Sequence, residues 1–526
     1  MGESGNIKDY ICSMFVRKRK NRSGSVSVVV VEKSNGKFKE VKKIGVSSVP
    51  SEIDNLYIQG KKWISKQKAN DLFEEYHFQE EEIQVTEYLL SNIENILLNG
   101  TQLILDRVFN NTGLNKVEDE ILKHLVIARI SQPRSKVATV DYLKSYFDED
   151  IELHKIYRYL DKLNDTQKDL IQSISVEHTR KILGGKIGVV FYDVTTLYFE
   201  SDLTDEIRKP GFSKDGKHSS PQIVLGLLVS IGGYPLAYSI HQGNKYEGHT
   251  MLPIIEDFII KFDLKDFVIV ADSGLINKEN IAQLEEKQYK YIIGARIKNE
   301  NKIITKWLIS IEKQDGQFYE YKKSETIRLI VGYSDSRAKK DRHNREKGVK
   351  RLEKEFKHGF ITKDKVNKRG YNKFLEIEDD IKVSINQDKI KDDECWDGLK
   401  GYITNTALSA QMIYEQYSDL WQIERAFRIT KGTLEIRPMF HFTKRRIEAH
   451  VCICFVAYKV YKELERVLKT NGVKLSVDKV LDIAKTITTL KIKLPVSNRT
   501  LTKTMIITPK QKSIEKLFDD KFWNLN

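Results

Sequence analysis

Three carboxylates, Asp193, Asp272 and Glu424, have the types and surroundings from which a metal-dependent phosphodiester site can be built. Asp193 ends the apolar part of KIGVVFYDVTT (186–196), and Asp272 ends that of FVIVADSG (267–274). An apolar run leading straight into an acid reads as a buried strand whose last residue emerges at the edge of a sheet. Open sheets collect ligands at the carboxyl ends of their parallel strands, so two acids delivered there can share a metal ion. The third acid lies in YSDLWQIERAFRITK (417–431). There Tyr417, Trp421, Glu424, Arg428 and Lys431 follow one another at spacings of 4, 3, 4 and 3. That spacing predicts one face of a single helix, with Leu420, Ile423 and Phe427 as its apolar stripe and Gly432 as its stop. Carboxylate oxygens with open water positions suit two Mg²⁺ ions, with Mn²⁺ as the alternative, and no His or Cys cluster competes for zinc.

Such acids need a sheet to hold them. After the Asp193 strand, Gln222 to Ile231, a Gly232-Gly233 turn and Leu236 to His241 read as a hairpin. Leu252, Ile255, Ile259 and Phe262 then recur at helical spacing, and 289–297 gives a further strand. From Asp272 to Glu424 is 152 residues, so an insertion must lie between them. Much of the charge sits in that insertion, about 301–405. Arg337 through Lys373 holds 15 Lys or Arg against 5 Asp or Glu, a net of +10, while the whole chain carries +14. Beside three metal-type acids, such a patch favours a nucleic-acid backbone as partner.

The residues resemble a family at this point. The Glu424 segment is similar to the YREK signature, Y-x2-R-x3-E-x6-K, of DDE-type insertion-sequence transposases, with Tyr417, Glu424 and Lys431 in place and Leu420 where the arginine belongs. FYDVTTLYFES (191–201), GFSKDGKHSSPQIVLGLLVSIGGYPLAYSIHQGN (211–244), YITNTALS (402–409) and LEIRPMFHFTKRRIEAH (434–450) also look like this group. The resemblance spans roughly residues 100–465. It implies an α/β multidomain chain with a ribonuclease H-like mixed sheet, flanking helices, and a basic insertion between the second Asp and the Glu. It also implies cleavage at the ends of a DNA element and joining of the freed 3′-hydroxyl to target DNA. Tyr417 and Lys431 would then hold phosphates beside the cut. Leucine cannot make arginine's two-pronged phosphate contact, so either Arg425 or Arg428 would replace it, Arg428 being preferred on the acid-bearing face, or the DNA ends are handled differently from those of relatives that carry the full signature. Lys214 and Lys217, in a Gly-bounded loop, either touch DNA or shape the loop.

Upstream, residues 1–50 read as a basic β-meander with an Asn35-Gly36 turn, suited to DNA-end binding or to docking. Residues 51–183 read as a helical DNA-binding region. In it Leu153, Ile156, Leu160 and Leu163 form a core stripe, and His154, Lys155, Arg158 and Lys162 face away, towards phosphate or as an ordinary polar face. The catalytic domain would take 184–300 and 406–466, followed by a C-terminal segment, 467–526. Four cysteines in no zinc pattern, no apolar leader and no apolar run long enough to span a bilayer suit the reduced cytoplasm and its nucleoid. Partners would be double-stranded DNA, as terminal inverted repeats and as target, and a second copy of the chain on that DNA. The helix at about 445–466 could pair the subunits or cover the sheet. Two other readings share these features: a silent DNA-binding descendant of a transposase, and a ribonuclease H-like nuclease that only hydrolyses.

Overall fold

The computed structural model describes residues 14–34, 36–68, 72–213, 216, 219–264, 266–275, 277–357, 366–367, 370–378, 382–495 and 497–523. The chain divides into two compact units, Met1–Ile96 with Leu490–Lys503 and Leu97–Thr489 with Thr504–Asn526. Among the described residues no helix is long and apolar enough to cross a membrane.

In the first unit, β1 (Met14–Lys20), β2 (Val26–Ser34) and β3 (Lys37–Ser47) form an antiparallel meander with β2 in the middle. Its β-branched run Val28 to Val31 is buried, and Arg17, Lys18, Arg19 and Lys20 stay exposed. Helix Pro50–Lys68 lies so close to the sheet that a side chain at Gly60 would stand 2.9 Å from Val16. Asn35 of the expected turn falls outside the described residues; Gly36 has the left-handed φ of 78° that such a turn needs. After helix Leu72–Ser91, β4 (Ile93–Leu97) interrupts the expected helical region and joins strands Thr488–Lys493 and Thr500–Met505 in a second sheet.

The second unit is organised by one long helix, Lys444–Thr470, which is buried along most of its length and apolar through Val451–Tyr458. A helix of that kind belongs in a core. It covers the sheet and packs against helices Gly100–Asn111, Glu120–Ser131 and Leu153–Thr166, so it offers no free face for pairing subunits. The sheet contains β5 (Val189–Tyr198), β6 (Gln222–Ser230), β7 (Pro235–Gln242), β8 (Val268–Ala271), β9 (Lys290–Ala295), β10 (Phe318–Lys322) and β11 (Arg328–Tyr333). A separate hairpin, β12 (Leu375–Glu378) and β13 (Lys382–Ile385), follows, and β14 (Leu399–Thr404) returns to the sheet. The order is β10-β11-β14-β9-β8-β5-β6-β7, with β8 parallel to both β5 and β9 and all other pairs antiparallel.

Two expectations change here. The stretch 301–405 supplies three strands to the main sheet, because β11 and β14 are apolar enough to be buried centrally. Among the described residues, helix Asp335–Lys357 and the β12–β13 hairpin pack around a small core of their own, Leu352, Phe374, Leu375 and Val383. Asp193 is mid-strand rather than terminal. Its antiparallel partner β6 keeps pairing as far as Tyr198 with Gln222, whereas parallel β8 stops at Ala271.

Candidate active site

Register brings the two aspartates together. Tyr192 pairs with Ala271 across the parallel β5–β8 ladder, so the next residues on the two chains are Asp193 and Asp272. Neighbouring strands run about 4.8 Å apart. Alternation sends Tyr192 into the core on one face of the sheet, and sends Asp193 to the other face with Phe191 and Leu197. That second face carries the Glu424 helix, whose Ile423, Ala426 and Phe427 are buried in the same core while Glu424 is exposed.

The single helix expected over 417–431 is two: Ala410–Ser418 and Trp421–Lys431. Between them Leu420 and Gln422 donate to carbonyls three residues back, Tyr417 and Asp419, and these tight turns break the register of the face. Tyr417 is therefore turned inward. Its ring packs 4.8 Å from that of Tyr402, and its hydroxyl donates to Asp272 Oδ1 at 2.9 Å. Gly294 makes the room, since a Cβ there would lie 2.4 Å from the Tyr417 oxygen. Burial, reinforced by Asp272, raises the Tyr417 pKa, so the phenol remains a donor.

Asp272, Tyr417, Leu420, Trp421 and Glu424 line one cavity of about 700 Å³. The same cavity is lined by residues the sequence did not single out: Lys400 on β14 and Arg337 on helix Asp335–Lys357. Lys400 Nζ stands 4.4 Å above the Tyr417 ring. Burial and Arg337 lower its pKa, opposed by Asp272 and Glu424. No spacing rule flags Lys400; it abuts YITNTALS, and only strand pairing carries it to the acids. Farther along the same helix, Arg345 is gripped by Asp397 through contacts of 2.6 and 2.7 Å, which fixes the helix at the cavity's edge.

A model of the transposase DDE domain matches residues 184–459. The chain belongs to the transposase DDE domain family. The matched span begins just ahead of β5 and ends within helix Lys444–Thr470, so it contains all three acids and the cavity. No curated protein matches the chain. Among solved structures it is similar to one described as the cryo-EM structure of piggyBac transposase synaptic complex with hairpin DNA, at 9% identity and a TM-score of 0.38, covering 75% of this chain and 77% of that one.

Membership implies dependence on a divalent metal. The donor set of this transposase fits in kind, being carboxylate oxygen without competing His or Cys. Among the described residues no three such groups close around one point. Asp272 instead accepts from Tyr417, with the Lys400 ammonium in electrostatic reach of Asp272 and Glu424.

The remaining site residues of the transposase are spread out. Arg428 is exposed and has no ion pair among the described residues, whereas Arg425 is tied to Glu465 on the long helix. Lys431 lines a separate cavity with Tyr198, Glu200 and Arg437. Arg158 is exposed, and Lys162 pairs with Asp119 at 2.7 Å. Lys214 and Lys217 lie outside the described residues. Two tryptophans, Trp396 and Trp421, also line the acid cavity, and Trp307 packs on Tyr321.

Proposed function

We propose that this transposase cuts DNA at the ends of its element and joins the freed 3′-hydroxyl to target DNA, using Asp193, Asp272 and Glu424 to hold two Mg²⁺ or Mn²⁺ ions. The observation that carries the reading is the parallel register that aligns Asp193 with Asp272 beneath the Glu424 helix. The strand order β7-β6-β5-β8-β9, with β8 and β9 parallel to β5, supports a ribonuclease H-like core extended by β14, β11 and β10. When bound, the metal ions supply Lewis acidity at the phosphodiester and a more acidic water.

The chain's own groups do the positioning. Tyr417 fixes the Asp272 carboxylate by its hydrogen bond and leaves the second oxygen available. Lys400 and Arg337 put positive charge in the cavity that Asp272 and Glu424 line, where phosphate oxygens would enter. Arg428 replaces the signature arginine missing at Leu420, since Arg425 is already committed to Glu465. Lys431 meets DNA farther from the cut. Double-stranded terminal repeats and target DNA are the substrates, with two copies of the chain acting together on them.

The test is cleavage and joining of a labelled fragment bearing the element's own terminal repeat, with Mg²⁺, by wild type and by variants of each acid. Joined products from wild type alone support the reading. Cleavage without joining indicates a hydrolase, and binding without cleavage a silent relic; either result rejects it.

A further inference from the structure

A second group of basic side chains lies away from the acids, around a cavity of about 160 Å³. Arg129, Lys136, His441 and His450 line it and are buried, with exposures of 7%, 6%, 9% and 3%. The rings of His441 and His450 stand 5.2 Å apart. Arg134 adds a further cation to the wall. Among the described residues this charge has no acidic partner. Arg129 there reaches the backbone oxygens of Glu435 and Arg134, at 3.5 and 3.4 Å. Among the described residues neither Arg129 nor Lys136 has an ion pair, and His450 Nδ1 is buried without a hydrogen-bond partner. Glu435, the one acid among the described lining residues, is exposed and takes part through its carbonyl.

Buried cations without counter-charge are expensive, and a protein relieves them by losing protons or by taking in an anion. The first route is visible: burial, helped by Arg129, brings Lys136 down to about 7, and burial with Lys136 and Arg129 brings His441 down to about 4. The second route leads past the neighbouring cavity. Pro438 and Phe440 line both this cavity and that of Tyr198, Glu200, Lys431 and Arg437, and Phe440 is 65% exposed at the shared rim. Arg437 stacks 4.8 Å from the Tyr198 ring. Lys431 and Arg437, with the acid Glu200 in the same lining, thus belong to the cavity that shares its rim with the buried cluster.

We propose that the cavity bounded by Arg129, Lys136, His441 and His450 binds a phosphate group, and that the group is a backbone phosphate of DNA passing Lys431 and Arg437. The DNA half rests on the transposition reading above; the phosphate half stands on the uncompensated charge alone.

Full-length wild type and Lys136→Met would be compared in two arms. Inorganic phosphate should raise the unfolding temperature of wild type and leave that of Lys136→Met unmoved. Without phosphate, Lys136→Met should be as stable as wild type or more so, since an unpaired buried cation has gone; a less stable variant would show a structural lysine and overturn the proposal. In the second arm, Lys136→Met should bind terminal-repeat duplex about tenfold more weakly, with the slope of log affinity against log salt reduced by about one. Phosphate should compete with the duplex for wild type. Equal stabilisation of both proteins by phosphate would overturn the pocket. Phosphate binding lost in the variant with an unchanged duplex slope would overturn DNA as the source and leave a small-anion site. A wild type that binds no duplex would overturn the transposition reading and the DNA half, with the phosphate arm still deciding the pocket.

Discussion

In the cavity beside β8, acids and cations stand together and meet solvent: Asp272 and Glu424 are exposed, with Lys400 and Arg337 in the same lining. Behind Phe440 the cations are enclosed and no described carboxylate pairs with them. The first region is balanced by its own side chains and can be reorganised by an incoming ion or phosphate. The second is left out of balance by the fold, so its need for an anion is built in. Chemistry is expected where both signs are present and movable; grip is expected where one sign is buried.

The contrast can be broken at several points. The largest effect belongs to the acids: Asp193→Asn or Asp272→Asn should slow strand cleavage roughly a thousandfold, about 4 kcal/mol of barrier, and leave the unfolding temperature nearly unchanged. A loss of that size in Lys136→Met would erase the distinction between the two regions. Next comes Arg345→Met, which strands Asp397 in a largely buried site. Breaking such a pair costs about 3 kcal/mol, read as faster proteolysis within Asp335–Lys357, whereas Lys136→Met, lacking a paired acid, should show no such penalty.

Gly294→Ala is smaller. Its methyl would meet the Tyr417 oxygen at 2.4 Å and push the phenol off Asp272. Overpacking of this kind costs about 1–3 kcal/mol. Cleavage rate should fall by about tenfold, and Tyr417→Phe should relieve part of the clash. The smallest effect separates neighbours on one helix: Arg428→Ala should impair strand transfer a few-fold, and Arg425→Ala should mainly lower stability through the lost Glu465 contact, by about 0.5 kcal/mol. Equal losses of strand transfer would return Leu420's missing contact to either arginine.

Much of this was legible in the sequence because apolar strand runs lead straight into Asp193 and Asp272, even though the first strand continues beyond its acid to Tyr198. The runs through Asp193 and Asp272 were found in order, as were the hairpin between them and the helix with Glu424. What escaped depended on pairing across long separations. Nothing in the residues near Arg328 or Lys400 shows that β11 and β14 extend the sheet, since periodicity marks a strand but not its neighbour. The break at Asp419-Leu420 was hidden because spacings of 3 and 4 fit an unbroken helix just as well, and only the pull of Asp272 and Tyr402 on Tyr417 explains the turn. Arg129, Lys136, His441 and His450 are scattered over more than 300 residues, and no motif joins them.

The proposal that Asp193, Asp272 and Glu424 share one metal centre is tested most directly by Mn²⁺ binding to the free protein, followed by electron paramagnetic resonance, in wild type and in Asp193→Asn, Asp272→Asn and Glu424→Gln. One shared centre predicts that each substitution weakens binding by about tenfold or more, with no acid dispensable. Unchanged Mn²⁺ affinity in any one of the three would contradict it and remove that residue from the site.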